Sequence, residues 1–85
     1  MRIYLQMPAA DTRVVRYYQL ILEPDLLGGW MLVREWGQQG AAGRVKRDYF
    51  PTWDAAEAAL SDARDSQLAK GYRIVFVQGD RGLSR

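Results

Sequence analysis

One helix-forming segment with capping residues at both ends is the feature that most constrains the fold. Thr52 is a favourable N-cap residue, and Asp54 complements the positive end of the helix dipole. Gly71 suits the position just after a helix, and Lys70 suits the last turn. Between these signals, apolar residues recur every three or four positions, at Trp53, Ala56, Leu60 and Ala63. We therefore predict one helix of about 18 residues, which would be about 27 Å long.

The rest of the chain consists of short apolar and aromatic segments separated by proline and glycine. This pattern is typical of β-strands joined by turns. We predict strands over residues 3–7, 16–23, 30–36, 44–50 and 72–78. A strand, a three-strand meander, a helix and a last strand indicate an α+β fold in which a single helix packs on an antiparallel sheet.

Three finer predictions concern how these strands are arranged. Segment 3–7 is short and is followed by Pro8, which is typical of an edge strand. The continuous apolar run over residues 74–77 indicates a strand that is buried on both faces or lies at the centre of the sheet. In segment 30–36, we expect the face that carries Met31 and Val33 to point toward the core. The three glycines in residues 37–43 predict a flexible loop directly after Trp36.

Length and composition indicate a single folded domain over residues 1–85, with residues 79–85 as a flexible tail. A chain of 85 residues that is 48% hydrophobic and 26% charged resembles ordinary globular proteins. Its size allows one modest core, which would bury about 60–65% of the surface of the unfolded chain. No segment approaches the ~20 apolar residues of a membrane helix, and the N-terminus lacks a signal-peptide pattern. We expect a cytoplasmic protein without membrane contacts.

The chain lacks the residues on which most catalytic and metal sites depend. It contains no cysteine and no histidine, so thiolate chemistry and the commonest metal ligand and general base are absent. Ser61 and Ser66 have no histidine to activate them. Asp62 and Asp65 are expected on the solvated face of the helix, and no P-loop sequence is present. We therefore expect a protein that is not an enzyme and has no cofactor and no metal.

Trp36 is the residue that most favours a binding function. It shares a strand face with Arg34 and is followed by Gly37. A flat ring beside arginines is suited to stacking on sugars or bases, which contributes ~1–3 kcal/mol per base. The alternative is that Trp36 packs in the core, as most strand tryptophans do. Ten of the twelve basic residues are arginine, which is preferred for phosphate contacts, although GC-rich coding also favours arginine.

The residues around Trp36 resemble the WGR domain family, which is named for a Trp-Gly-Arg motif. Tyr17-Tyr18-Gln19-Leu20 is similar to the paired aromatics of the first meander strand, and residues 29–37 are similar to the motif strand. Further similarities are Gly40, Lys46, Pro51-Thr52 before the helix, and Lys70-Gly71-Tyr72 after it. The resemblance covers residues 16–72 and is strongest to small stand-alone bacterial members.

This resemblance implies an antiparallel sheet with one helix, and nucleic-acid binding. In poly(ADP-ribose) polymerases, a WGR domain binds DNA at strand breaks, where its tryptophan packs on the terminal sugar and its arginine contacts the backbone. By resemblance, Trp36 takes the stacking role, but Gln38 stands at the arginine position and carries no charge. The predicted site consists of Trp36, Gly37 and Gln38, with charge from Arg34, Arg44 and Lys46.

Two functions follow as hypotheses. The first is a module that binds DNA, with duplex ends or breaks as the preferred form and with RNA left open. The second is a protein-interaction module that uses the Trp36 loop or the predicted edge strand 3–7, because tryptophan and arginine are common at interface hot spots and exposed edges pair with other strands. The sequence leaves both a monomer and a homodimer open.

Overall fold

A computed structural model describes residues 1–8 and 14–79 of the chain. The described residues form five strands and one helix: β1 (Arg2–Met7), β2 (Arg16–Pro24), β3 (Trp30–Gln38), β4 (Arg44–Phe50), α1 (Trp53–Lys70) and β5 (Arg73–Gln78). All neighbouring strands are antiparallel, in the order β4-β3-β2-β1-β5. This confirms the predicted α+β fold. Most of the predicted tail, from residue 80 onward, lies outside the described residues.

The helix has the predicted capping interactions at both ends. The hydroxyl of Thr52 accepts a hydrogen bond from the Ala55 amide at 3.2 Å. Gly71 adopts a left-handed conformation with φ 111°, and its amide donates to the carbonyl of Leu68. The next amide, that of Tyr72, donates to the carbonyl of Gln67 at 3.1 Å. This cap fixes the direction in which the chain leaves the helix and places Tyr72 beside β2.

The core lies between α1 and one face of the sheet. Its central residues are 2% exposed or less: Ile3, Leu5, Leu20, Leu22, Leu32, Ala56 and Leu60. Burial of each large side chain stabilises the fold by about 1.5–3 kcal/mol. The predicted apolar stripe of the helix is confirmed, since Trp53 and Ala63 pack against the edge of this cluster. No helix in the described part of the chain is long and apolar enough to cross a membrane.

The predicted core-facing side of β3 is wrong. Leu32 points toward the helix, together with Trp30, Arg34 and Trp36, whereas Met31 and Val33 lie on the opposite face. Trp30 packs edge-on against Trp53 of the helix, with ring centroids 4.8 Å apart. The helix therefore packs on the face of β3 that carries Trp30 and Trp36, because these two rings pack around the buried core cluster.

The predicted positions of the first and last strands are also wrong. β1 lies inside the sheet between β2 and β5, and Pro8 follows the strand without interrupting it. β5 is the outer strand of the described sheet, and the side chains of residues 74–77 are 36–51% exposed. The helix packs on β2, β3 and β4 and leaves β5 largely uncovered. An apolar run by itself does not distinguish a central strand from an edge strand.

Candidate nucleic-acid interface

The paired ends of β2 and β3 position Trp36. Tyr18 is the cross-strand partner of Trp36, Tyr17 is the partner of Gly37, and Arg16 is the partner of Gln38. β3 thus continues two residues beyond Trp36, so the predicted loop over residues 37–43 begins too early. Because Gln38 lies within the strand, its side chain shares a sheet face with Trp36.

Gly37 is closely packed against the chain that follows it. Its φ angle is not positive, whereas Gly40 has φ 86° and makes the turn that follows the strand. A Cβ atom on Gly37 would lie 3.1 Å from the Cα of Gly43, closer than ordinary van der Waals contact. The glycine after Trp36 therefore lets the two backbones at the base of this turn approach each other.

Trp36 is partly buried and supported on one side by an aromatic cluster. Its ring stacks on Tyr18, with centroids 5.6 Å apart and an interplanar angle of 12°. Tyr72 in turn meets Tyr18 edge-on at 5.9 Å. Trp36 thus combines the two roles considered from the sequence, since it packs against the core and also borders a surface pocket.

The pocket beside Trp36 measures about 250 Å³ and is lined by Arg16, Trp36, Gly37, Gln38 and Tyr72. This volume lies below the usual range for drug-sized ligands. It suits one sugar or phosphate group of a larger ligand. Three of the predicted site residues meet in this pocket, and Arg16 and Tyr72 complete it.

Arg34 lies on the same face but outside this pocket. Its Nη2 atom donates to the Asp48 carboxylate at 2.7 Å, and its Nε atom is buried without a hydrogen-bond partner among the described residues. Arg34 borders a separate cavity of about 380 Å³ between the sheet and α1, together with Asp48 and Asp62. The positive charge of Arg34 is therefore offset by a neighbouring carboxylate and is poorly placed to attract a phosphate.

Arg44 and Lys46 extend the face of Trp36 onto the outer strand β4. Arg44 is the cross-strand partner of Trp36, and Lys46 is the partner of Arg34. Both are exposed, and neither forms a salt bridge with any described residue. These two side chains place unpaired positive charge next to the tryptophan ring.

Glu35, the neighbour of Trp36 in sequence, points to the opposite face of the sheet. The Tyr17 hydroxyl donates to its carboxylate at 2.9 Å, and the Gln19 amide donates at 3.1 Å. The bond to Glu35, together with burial and the nearby negative charge, raises the pKa of Tyr17 above its ordinary value of 10.0. The carboxylate is thereby held away from the pocket, where it would repel an anion.

Comparison with protein-family models relates this arrangement to known proteins. The model of the WGR domain matches residues 1–76. The chain belongs to the WGR domain family. The match is wider than the resemblance over residues 16–72 and includes β1 and most of β5. WGR domains are a family associated with nucleic-acid binding.

A relative of this WGR domain is the uncharacterized protein y4dW of Sinorhizobium fredii (strain NBRC 101917 / NGR234). The two are 29% identical over 72 residues, which represent 85% of this chain and 35% of the relative. The chain therefore spans about a third of the length of that protein. The search of solved structures found no significant match.

Arg16 is one of two residues lining this pocket of the WGR domain, with Tyr72, that the predicted site did not include. It is exposed, lies opposite Gln38 and lines the pocket. The available signal was its position two residues before Tyr18, which places both side chains on one strand face. The predicted meander pairs β2 with β3, but the proximity of Arg16 to Trp36 depends on the register of that pairing, which the sequence pattern does not specify.

Proposed function

We propose that this WGR domain is a non-catalytic module that binds DNA and prefers duplex ends or breaks. The observation that carries the proposal is the pocket lined by Trp36, Gln38 and Arg16. Beside it lie Arg44 and Lys46, which form no salt bridge within the described part of the chain. An aromatic platform contributes affinity through stacking, and the basic side chains contribute through phosphate contacts. Membership in a family associated with nucleic-acid binding supports the same function.

The position of the ring favours an end over a continuous duplex. Trp36 is partly buried and lies near the end of β3, just before the turn at Gly40. The bases of an intact duplex are stacked and hide their faces from such a ring. A terminal sugar or an unpaired base at a break exposes a face, on which the Trp36 ring can stack.

The experiment that tests this function is a fluorescence-anisotropy titration with blunt, nicked, single-stranded and hairpin-closed DNA, and with matched RNA. We expect blunt and nicked duplexes to bind more tightly than a closed duplex. Arg16, Arg44 and Lys46, which form no salt bridge with a described residue, should give a slope of log K against log salt near −3, since each neutralised phosphate contributes about −0.9. A slope near zero, or no binding at the lowest salt concentration, would contradict the proposal.

A second candidate function is interaction with a strand from another chain, and the exposure of β5 favours it. Unlike β1, β5 is an outer strand, and its apolar side chains over residues 74–77 remain exposed. Outer strands with this character readily pair with other strands. We therefore propose β5, and not the predicted segment 3–7, as the edge that would mediate a homodimer or a protein contact.

Light scattering at increasing protein concentration tests this edge. If β5 pairs with a second copy, a dimer should form at micromolar concentration, and Val75→Lys should shift it to a monomer because a lysine blocks edge pairing. Val45→Lys on the other outer strand is the matched control, since both valines are about half exposed, at 51% and 47%. A monomer at all concentrations would exclude self-pairing through β5.

A further inference from the structure

We propose that the pocket beside Trp36 contains a phosphate subsite whose charged donor is Arg16. In this chain the cation would come from β2, whereas the motif strand supplies only the neutral Gln38. This inference rests on the proposed nucleic-acid function, and it specifies which side chain of the pocket contacts the backbone of the ligand.

The pairing of β2 with β3 brings Arg16 to the required place. Arg16 and Gln38 are direct cross-strand partners, and both share the sheet face of Trp36. The Cβ atoms of such partners lie about 4.5–5.5 Å apart. An arginine side chain is long enough to span this distance, so the Arg16 guanidinium can reach the space in front of Gln38.

The charges around Arg16 leave it available for an anion. Its two cross-strand partners are Met7 and Gln38, neither of which is acidic. Arg16 forms no salt bridge with the residues that the structure describes, and none of the described carboxylates lines the pocket. Arg34 shows the contrasting case, since Asp48 accepts a hydrogen bond from it at 2.7 Å. Of these two arginines on the face of Trp36, Arg16 is the one without a described counterion.

The side chains of the pocket would contact different parts of the same nucleotide. A guanidinium presents a planar fork that matches two phosphate oxygens, and such charge-assisted bonds are roughly twice as strong as neutral ones. The Gln38 amide can add a neutral hydrogen bond from the opposite strand. Trp36 lies next to both and would hold the sugar or base that carries this phosphate.

Exchange of the two cross-strand residues tests the inference. We expect Arg16→Gln to weaken binding to a nicked duplex by about 10-fold to 100-fold, as expected for a charged hydrogen bond, and to make the salt slope less steep by about 1. The double variant Arg16→Gln/Gln38→Arg should regain most of the affinity and the slope, because it returns one arginine and one glutamine to the same pair of positions.

Two further variants serve as controls. Arg47→Gln removes the same charge from β4, but Arg47 pairs with Val33 on the opposite face, so binding should change little. Arg16→Lys keeps the charge and loses the fork, so the salt slope should stay while the affinity falls. Melting temperatures of all variants show whether each one is folded. If Arg16→Gln is unfolded, the comparison of Arg16→Lys with the wild type tests the inference instead.

The results separate this inference from the proposed function. If Arg16→Gln and Arg47→Gln bind alike while the wild type binds nicked DNA with a steep salt slope, the subsite is wrong and the function stands. If the exchanged double variant stays as weak as Arg16→Gln, the two positions do not share one phosphate contact and the inference fails. If the wild type binds no nucleic acid, the proposed function fails and this inference fails with it.

Discussion

Trp36→Ala should weaken binding to a nicked duplex by about 5-fold to 150-fold, while the salt slope stays unchanged. The substitution removes a stacking contact worth about 1–3 kcal/mol, and each 1.4 kcal/mol corresponds to a factor of ten. It removes no phosphate contact, so the number of released counterions should not change. Anisotropy titrations of the wild type and the variant at several salt concentrations measure both quantities.

Stability has to be measured beside affinity, because Trp36 also stacks on Tyr18 at 5.6 Å and borders the core. Trp36→Phe keeps an aromatic ring and should retain most of the binding. Trp30→Ala at the other end of β3 is the matched control, since Trp30 packs on Trp53 and lies outside the pocket. It should lower the melting temperature without weakening the binding of the folded fraction. Full affinity in Trp36→Ala would exclude Trp36 as a contact residue.

Leu32→Ala should lower the free energy of unfolding by about 2–5 kcal/mol, the usual cost of deleting a large core side chain. Leu32 is 2% exposed and belongs to the cluster between the sheet and α1. In a domain of this size, each 1 kcal/mol lowers the melting temperature by roughly 4–8 °C. Urea denaturation measures the effect, and a loss within this range is a large share of a typical stability of about 5–15 kcal/mol.

Met31→Ala is the control for this prediction, because Met31 directly precedes Leu32 in β3 and points to the other face of the sheet. It is only partly buried, so its truncation removes less buried surface and should cost less than half as much as Leu32→Ala. Equal costs for the two variants would contradict the position of the core between α1 and the Leu32 face.

The elements of this fold could be predicted because their signals are local. The helix begins after Thr52 and ends at Lys70 before Gly71, as the capping residues indicate. Each strand begins or ends within two residues of its prediction, since alternation and turn residues act over short distances. Membership in the WGR family could likewise be inferred from several short motifs over residues 16–72, each made of residues adjacent in sequence.

The places of the first and last strands and the choice of faces depend on distant contacts and could not be predicted, whereas the neighbouring order of β2, β3 and β4 follows the predicted meander. β1 is an inner strand only because β5, which follows the helix in the chain, pairs with the free edge of β1. The face of β3 depends on the side on which α1 packs, and Arg34 places a charged side chain on the face that packs against the helix. Asp48, fourteen residues away, makes that position tolerable through a salt bridge.

The sequence likewise predicted only part of how the residues of the candidate site are arranged, and their role in binding stays a prediction. Trp36, Gly37 and Gln38 lie together at the pocket, and Arg44 and Lys46 lie beside it on β4. Arg34 is withdrawn into an ion pair, and Arg16 enters the pocket from β2. Both differences follow from cross-strand pairing, which joins residues that are more than ten positions apart in the chain.

Nuclear magnetic resonance of the ¹⁵N-labelled chain during titration with a nicked duplex tests the proposed interface most directly. The indole N–H of Trp36, the side-chain amide of Gln38 and the backbone amide of Arg16 should shift together in a saturable manner, while β5 stays unchanged. The same titration with a hairpin-closed duplex should produce weaker shifts. If these three groups do not move, or if the shifts are confined to β5, the nucleic-acid interface at Trp36 is contradicted.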